Sequence, residues 1–407
     1  MYPTSLVEPE WLRVLSQRQP KAADLLARSA DEQRRLGYFH TFREICQQPA
    51  TWLQTCELMV GQSASLHSTM AAVRSLTLTG SGSSEYAGEC LRMTLQEELG
   101  IEVQATGGGV LLAHGARALP PGRPGLMVSL ARSGDSPESA GTVSLMLKSQ
   151  PEVHHLILTC NEAGKLARSF RGDRRVAVIT LREETNDRGL VMTSSFTNLV
   201  LGARFLGLLG KPERYRMICQ ELSRIASELI QDRCGDLAEV AKAPFKRVLF
   251  LGSGARFGAA REAALKMLEM TAGRVTTMSE TYLGLRHGPM SYVHDSTLVV
   301  CFLSSDLTLR AYEIDLLREL DQKELGLLKL IVGEAVPSDV VRKNDVVLDC
   351  PGASQLGDNN FAVVDVLVSQ MLAFFHCLEI GLHPDSPSED GVINRVVQAF
   401  SLHFLES

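Results

Sequence analysis

At 407 residues and 44.5 kDa the chain is long enough for two or three compact domains, and 45% hydrophobic with 22% charged residues is a globular make-up that excludes a disordered or fibrous protein. Lys and Arg number 41 against 47 Asp and Glu, a net charge of -6, so nothing global attracts nucleic acid or anionic lipid, and an anionic ligand must be held locally. The uncharged stretches 58–73 and 189–203 fall short of the ~18 apolar residues of a membrane span and are broken by Gly, Ser and Thr. No transmembrane helix is expected, and the start Met1–Glu8 lacks a secretory signal pattern, which points to the cytoplasm. Nine scattered cysteines without zinc spacing read as reduced core residues, with no metal site.

In chain order, the first ~70 residues read as helical: Trp11-Leu12, Leu15, Leu25-Leu26 and Leu36 recur at loosely helical spacing, interrupted at Pro20. With seven basic and seven acidic residues over 1–70, this segment is a packing or oligomerisation arm, not a DNA reader. From Arg74 short apolar runs alternate with Gly/Ser loops and helical stretches: 76–79, 125–130, 153–159 and 176–181 read as strands of a parallel sheet. Ile218, Leu222, Ile225 and Leu229 mark one face of a linking helix. A second set follows at 248–251, 298–303, 327–332 and 346–348. The restart is a repeat, because Leu76–Thr79 followed by Gly80-Ser81-Gly82-Ser83-Ser84 is matched by Val248–Leu251 followed by Gly252-Ser253-Gly254-Ala255-Arg256. The expected fold is α/β: two tandem doubly wound parallel-sheet domains, each an αβα sandwich, at 49–211 and 212–390, with a helical arm at 1–48 and a tail at 391–407.

A Gly-Ser-Gly turn between strand and helix lets backbone amides and the helix N-terminus approach an anion such as phosphate. Neither loop completes Gly-x-Gly-x-x-Gly, since Glu85 and Phe257 stand at the third position, and no Gly-Lys-Ser/Thr follows. After the 125–130 run comes Ala131-Arg132-Ser133-Gly134-Asp135-Ser136-Pro137-Glu138, in which Ser136 can cap a helix opened by Pro137. Ser133 and Ser136 can join Ser81, Gly82, Ser83 and Ser84 around one phosphate at the carboxyl ends of neighbouring strands; helix capping alone is the plainer alternative.

These pieces, together with 189–197, Ala263-Ala264-Leu265-Lys266-Met267-Leu268-Glu269 and Arg286-His287-Gly288-Pro289, resemble the sugar isomerase (SIS) domain family, which binds phosphosugars. The segments 41–49, 185–188 and 394–398 look most like its AgaS-type branch, implicated in breakdown of amino sugar phosphates. The resemblance implies aldose–ketose chemistry without a cofactor, with Glu269 as the base that moves a proton between C1 and C2 and His287 as the group that helps open the ring. It implies galactosamine 6-phosphate as substrate, with tagatose 6-phosphate and ammonia as products. It also implies a homodimer or homotetramer in which the histidine reaches a neighbouring subunit's site. Arg132, Thr193, Ser194 and Lys266 are the candidates for holding the sugar, with Asn186 and Asp187 nearby.

Taken alone, Lys266 and Glu269 are an ordinary i,i+3 helix pair, worth about 0.2–0.5 kcal/mol at a surface. Ala131 stands where the family often has serine, and Arg132 beside it is the candidate to compensate. An amidotransferring synthase is disfavoured, because Tyr2 follows Met1 and the last lysine is Lys343. The rival readings are a non-catalytic phosphosugar-binding regulator and an isomerase of neutral sugar phosphates.

Overall fold

The structure is a computed structural model that describes residues 10–121, 124–388, 390–398 and 400–403. Two five-stranded parallel sheets carry the two halves of the chain. The first comprises β1 (Ser75–Gly80), β2 (Glu102–Gly107), β3 (Gly125–Ala131), β4 (Val153–Thr159) and β5 (Val176–Thr180), in the order β2-β1-β3-β4-β5. The second comprises β6 (Arg247–Leu251), β7 (Thr276–Glu280), β8 (Thr297–Phe302), β9 (Leu328–Gly333) and β10 (Val346–Asp349), in the order β10-β9-β8-β6-β7. Read from the other edge the second order is that of the first, so the sequence repeat is a repeat of topology.

The eight strands expected from apolar runs are present, and two more lie beside them. β2 and β7 are the edge strands next to β1 and β6, and most of their residues are half-exposed or exposed. Residues left this open need not be apolar, so Glu-Val-Gln-Ala-Thr-Gly and Thr-Thr-Met-Ser-Glu carry no hydrophobic run, whereas the opposite edge strands β5 and β10 do.

The inner faces of both sheets belong to one core: Leu76, Leu78, Val128 and Leu156 join Val248, Phe250, Val300 and Leu330 through an intervening helical layer. That layer contains the helices Ser83–Leu99, Ser194–Arg204, Ala255–Met270 and Asp358–Glu379, packed on one another. At the crossing of the first and third, Gly258 lets the backbones meet, since a β-carbon there would sit 2.6 Å from the Cys90 amide nitrogen. The outer faces form two separate smaller clusters, one per half. Asp358–Glu379 is long and apolar enough to cross a membrane, but 94% of its apolar stretch is buried inside the protein, where it serves as the central core helix.

The N-terminal segment is helical between Glu10 and Met70, with Pro20 opening the second helix. Tyr38, Phe42, Ile45 and Trp52 are buried in the shared core, so these helices pack into the body of the fold. All nine cysteines are buried and unbridged.

Gly82 and Gly254 begin the matching helices of the two halves with the same backbone, φ 58°, ψ -126° and φ 57°, ψ -127°. A β-carbon on Gly254 would meet nothing within 4 Å, so its requirement for glycine is purely one of backbone conformation. Gly254→Ala is therefore expected to lower unfolding free energy by about 1–2 kcal/mol, read from chemical denaturation.

Candidate active site

The chain crosses from β1 to β2 on one side and then to β3 on the other, which makes the β1/β3 boundary the switch point where a doubly wound sheet opens a ligand crevice. A cavity of about 740 Å³ lies there. Its floor is formed by two serine loops. Ser81 and Gly82 lead into the helix Ser83–Leu99, so that Ser83 and Ser84 stand at its N-terminus. Ser136 caps the helix Pro137–Ser149, its Oγ accepting from the Ser139 amide at 3.3 Å, while Ser133 Oγ accepts from the Asp135 amide at 3.2 Å. All six predicted phosphate-loop residues line the one cavity, joined by Glu138 and Ser139. Two helix N-termini directed at one space create positive potential without a lysine.

The opposite wall comes from the second half. Glu269, on the helix Ala255–Met270, reaches the cavity across the shared helical layer. Behind it Lys266 is fully buried and ion-paired to Glu269, with Nζ donating to Ser83 Oγ at 2.9 Å and lying 3.3 Å from Glu262 Oε1. Glu262 is fully buried, and burial pushes its carboxyl up to about 8, with Lys266 opposing and Glu269 reinforcing the rise. The predicted i,i+3 pair thus exists, but at the bottom of the site and not on a surface. Lys266, expected to hold the sugar, does not line the cavity; it ties the base candidate to the first serine loop.

Arg132 does line the cavity. Its guanidinium is nearly buried and donates to the carbonyls of Leu190 at 2.9 Å, Gly189 at 3.4 Å and Arg395, and among the described residues it makes no ion pair. An arginine charge held by neutral carbonyls alone leaves positive potential in the wall, which suits an anionic ligand.

Thr193 and Ser194 are placed differently from the expectation. Both are wholly buried and absent from the cavity wall. The Asp187 carboxylate accepts from the amides of Thr193 at 2.7 Å, Ser194 at 3.0 Å and Ser195 at 2.9 Å and from the Thr193 hydroxyl at 3.0 Å, capping the helix Ser194–Arg204. Ser194 Oγ donates to the Glu44 carbonyl. These hydroxyls are used up within the protein, so the segment braces Leu190 and Met192 against the cavity in place of reading sugar hydroxyls. His287 is exposed, on the turn after the helix Tyr282–Leu285, and is not brought to the cavity of its own chain.

One wall escaped the sequence reading. Residues 391–398, assigned to a tail, close the cavity from above. Arg395 fastens them, donating from Nε to the Asp187 carbonyl at 2.6 Å and from its terminal nitrogen to Asn186 Oδ1 at 2.7 Å. The Asn394–Gln398 run was legible as a motif, but nothing in its charge or periodicity reveals where it folds back.

A SIS domain model matches residues 243–376, the second half. A Streptomyces coelicolor protein provisionally named D-galactosamine-6-phosphate deaminase AgaS is 37% identical over 90% of this chain and 96% of its own. An Escherichia coli D-galactosamine-6-phosphate deaminase AgaS is 34% identical over 89% of this chain and 95% of its own. The crystal structure of tagatose-6-phosphate ketose/aldose isomerase from Escherichia coli superposes with a TM-score of 0.80 at 31% identity, covering 90% of this chain and 97% of that one. The chain belongs to the AgaS family of SIS-domain proteins.

The loop that anchors the tail also packs on a buried acid from the helix Phe39–Cys46. Glu44 accepts from the amides of Arg188 at 2.6 Å and Gly189 at 3.2 Å, and burial, reinforced by the Asp187 charge, pushes its carboxyl up to about 8 from 4.5. Between those values the folded chain holds a proton that the unfolded chain has lost, so stability falls as pH rises through that window. Glu44→Gln is expected to flatten this decline between pH 5 and 8, as followed by melting temperature across pH.

Proposed function

We propose that this chain is an amino sugar phosphate deaminase/isomerase converting galactosamine 6-phosphate to tagatose 6-phosphate and ammonia. The observation that carries the reading is the placing of Glu269 across one cavity from two serine loops that converge at helix N-termini. The phosphate sits on Ser81, Gly82, Ser83, Ser84, Ser133 and Ser136, with Arg132 compensating for the hydroxyl that Ala131 lacks. Glu269 takes the proton from C2 of the open-chain sugar, forming an enaminol, and returns it to C1, leaving an imine at C2. Water adds to that imine and ammonia leaves, giving the C2 carbonyl of the ketose. A carboxylate suits the shuttle because Lys266 holds it in place. The relatives named as deaminase and as ketose/aldose isomerase support both halves of the reaction.

Purified protein given galactosamine 6-phosphate should release ammonia and ketose phosphate in equal amounts, and Glu269→Gln should abolish turnover while retaining phosphosugar binding. Binding without turnover in the unmodified chain would make it a phosphosugar sensor, and a ketose formed only from neutral aldose phosphates would make it a plain isomerase.

His287 opens the ring in this reading, and because it lies outside its own chain's cavity it serves a second copy's. Co-expressing the inactive variants Glu269→Gln and His287→Asn should then restore up to about a quarter of wild-type activity, the share of sites left intact by random pairing in a dimer. No recovery in verified mixed dimers removes His287 from the partner's site.

A further inference from the structure

The two halves share strand order and turn geometry, yet the matching crevice of the second half is closed. Strand register fixes the correspondence: Thr79 pairs with Ser129 in the first sheet where Leu251 pairs with Cys301 in the second. One residue beyond Gly80 and Gly252, Ser253 therefore matches Ser81, and Ser304, three residues beyond Cys301, matches Arg132. In the first half these two positions face the cavity. In the second half they face a carboxylate. Glu313, on the helix Leu307–Gln322, accepts from Ser253 Oγ at 2.6 Å through one oxygen and from the Ser304 amide at 2.6 Å through the other, and is itself 1% exposed.

The remaining seats are filled in the same way. Arg256 stands where the first half has Ser84 and runs through the crevice to pair with Asp365 at 2.6 Å. Asp358 accepts from the Ser305 amide at 2.9 Å and its hydroxyl at 3.0 Å, and Ser305 corresponds to Ser133. At the strand ends, apolar Leu251 and Cys301 replace the hydroxyls of Thr79 and Ser129. A hydroxyl and a backbone amide at the mouth of a helix N-terminus are donors suited to an oxyanion, and here the oxyanion they hold is covalently part of the chain.

We infer that the second half keeps the anion seat of the duplicated fold with the Glu313 carboxylate as its permanent occupant, which leaves each chain a single open crevice, and that removing this carboxylate re-creates a seat for a free carboxylate-sized oxyanion. This goes beyond the substrate reading and does not depend on it, since it concerns residues remote from Glu269 and calls for no sugar.

The test is thermal unfolding of the full chain in chloride and in acetate, whose CH₂–COO⁻ part replaces what Glu313→Ala deletes. Glu313→Ala should melt below wild type in chloride, acetate should raise its melting temperature by more than it raises that of wild type, and adding Ser253→Ala should remove the extra response. Equal acetate responses in wild type and Glu313→Ala overturn the inference, as does an extra response that survives Ser253→Ala. Should Glu313→Ala be recovered only unfolded, refolding decides: folded chain obtained in acetate but not in chloride supports the seat, and failure in both overturns it. Neither readout involves phosphosugar or turnover, so its outcome is separable from that of the deaminase assay.

Discussion

Lys266 is wedged between Glu262, Glu269 and the Ser83 hydroxyl, and this buried cation holds the site together across the boundary of the two halves. Stripping water from the lysine and its carboxylate partner Glu269 costs several kcal/mol per ion, and their close mutual contact and the serine hydrogen bond offset it. The pairing therefore works at one spacing alone, that at which the helix Ala255–Met270 lies against the start of Ser83–Leu99. Gly258, where the backbones touch, permits that spacing. The position of Glu269 over the cavity follows from this packing.

Duplication supplied two crevices, and the chain treats them oppositely. The first is lined by hydroxyls, Glu269 and an arginine that among the described residues makes no ion pair; the second is packed with Arg256 and the carboxylates of Glu313, Asp358 and Asp365. The half that matches the SIS model is thus the half whose crevice is filled. Resemblance of pattern reports strands, turns and helices, whereas openness to a ligand depends on a few side chains around the turn.

The sequence disclosed the repeat, because buried parallel strands are continuous apolar runs and the Gly-Ser-Gly turns punctuate them. β2 and β7 left no such trace, since most of their side chains are half-exposed or exposed. The serine loops were legible because both follow strands of one sheet. The structure places Thr193 and Ser194 away from the cavity for a reason that composition does not reveal: a hydroxyl at a helix start is equally suited to a ligand and to a capping carboxylate, and here Asp187, six residues upstream of Thr193, takes that place. The Lys266–Glu269 spacing was visible, but its burial arises from the opposing half. Long-range return of the 391–398 segment had no local signal at all.

That return has a consequence for how the protein is made. The serine loops and the first sheet leave the ribosome early, whereas the wall that covers them, with the Arg395 clasp onto Asp187 and Asn186, is translated after both sheets. Because the inner faces of both sheets share one core, the crevice takes shape only when the helices of the second half have packed against the first, and its covering segment is added after them. The finished cavity therefore exists only once residues 391–398 have been made and have folded back, so a change in that segment acts directly on the site.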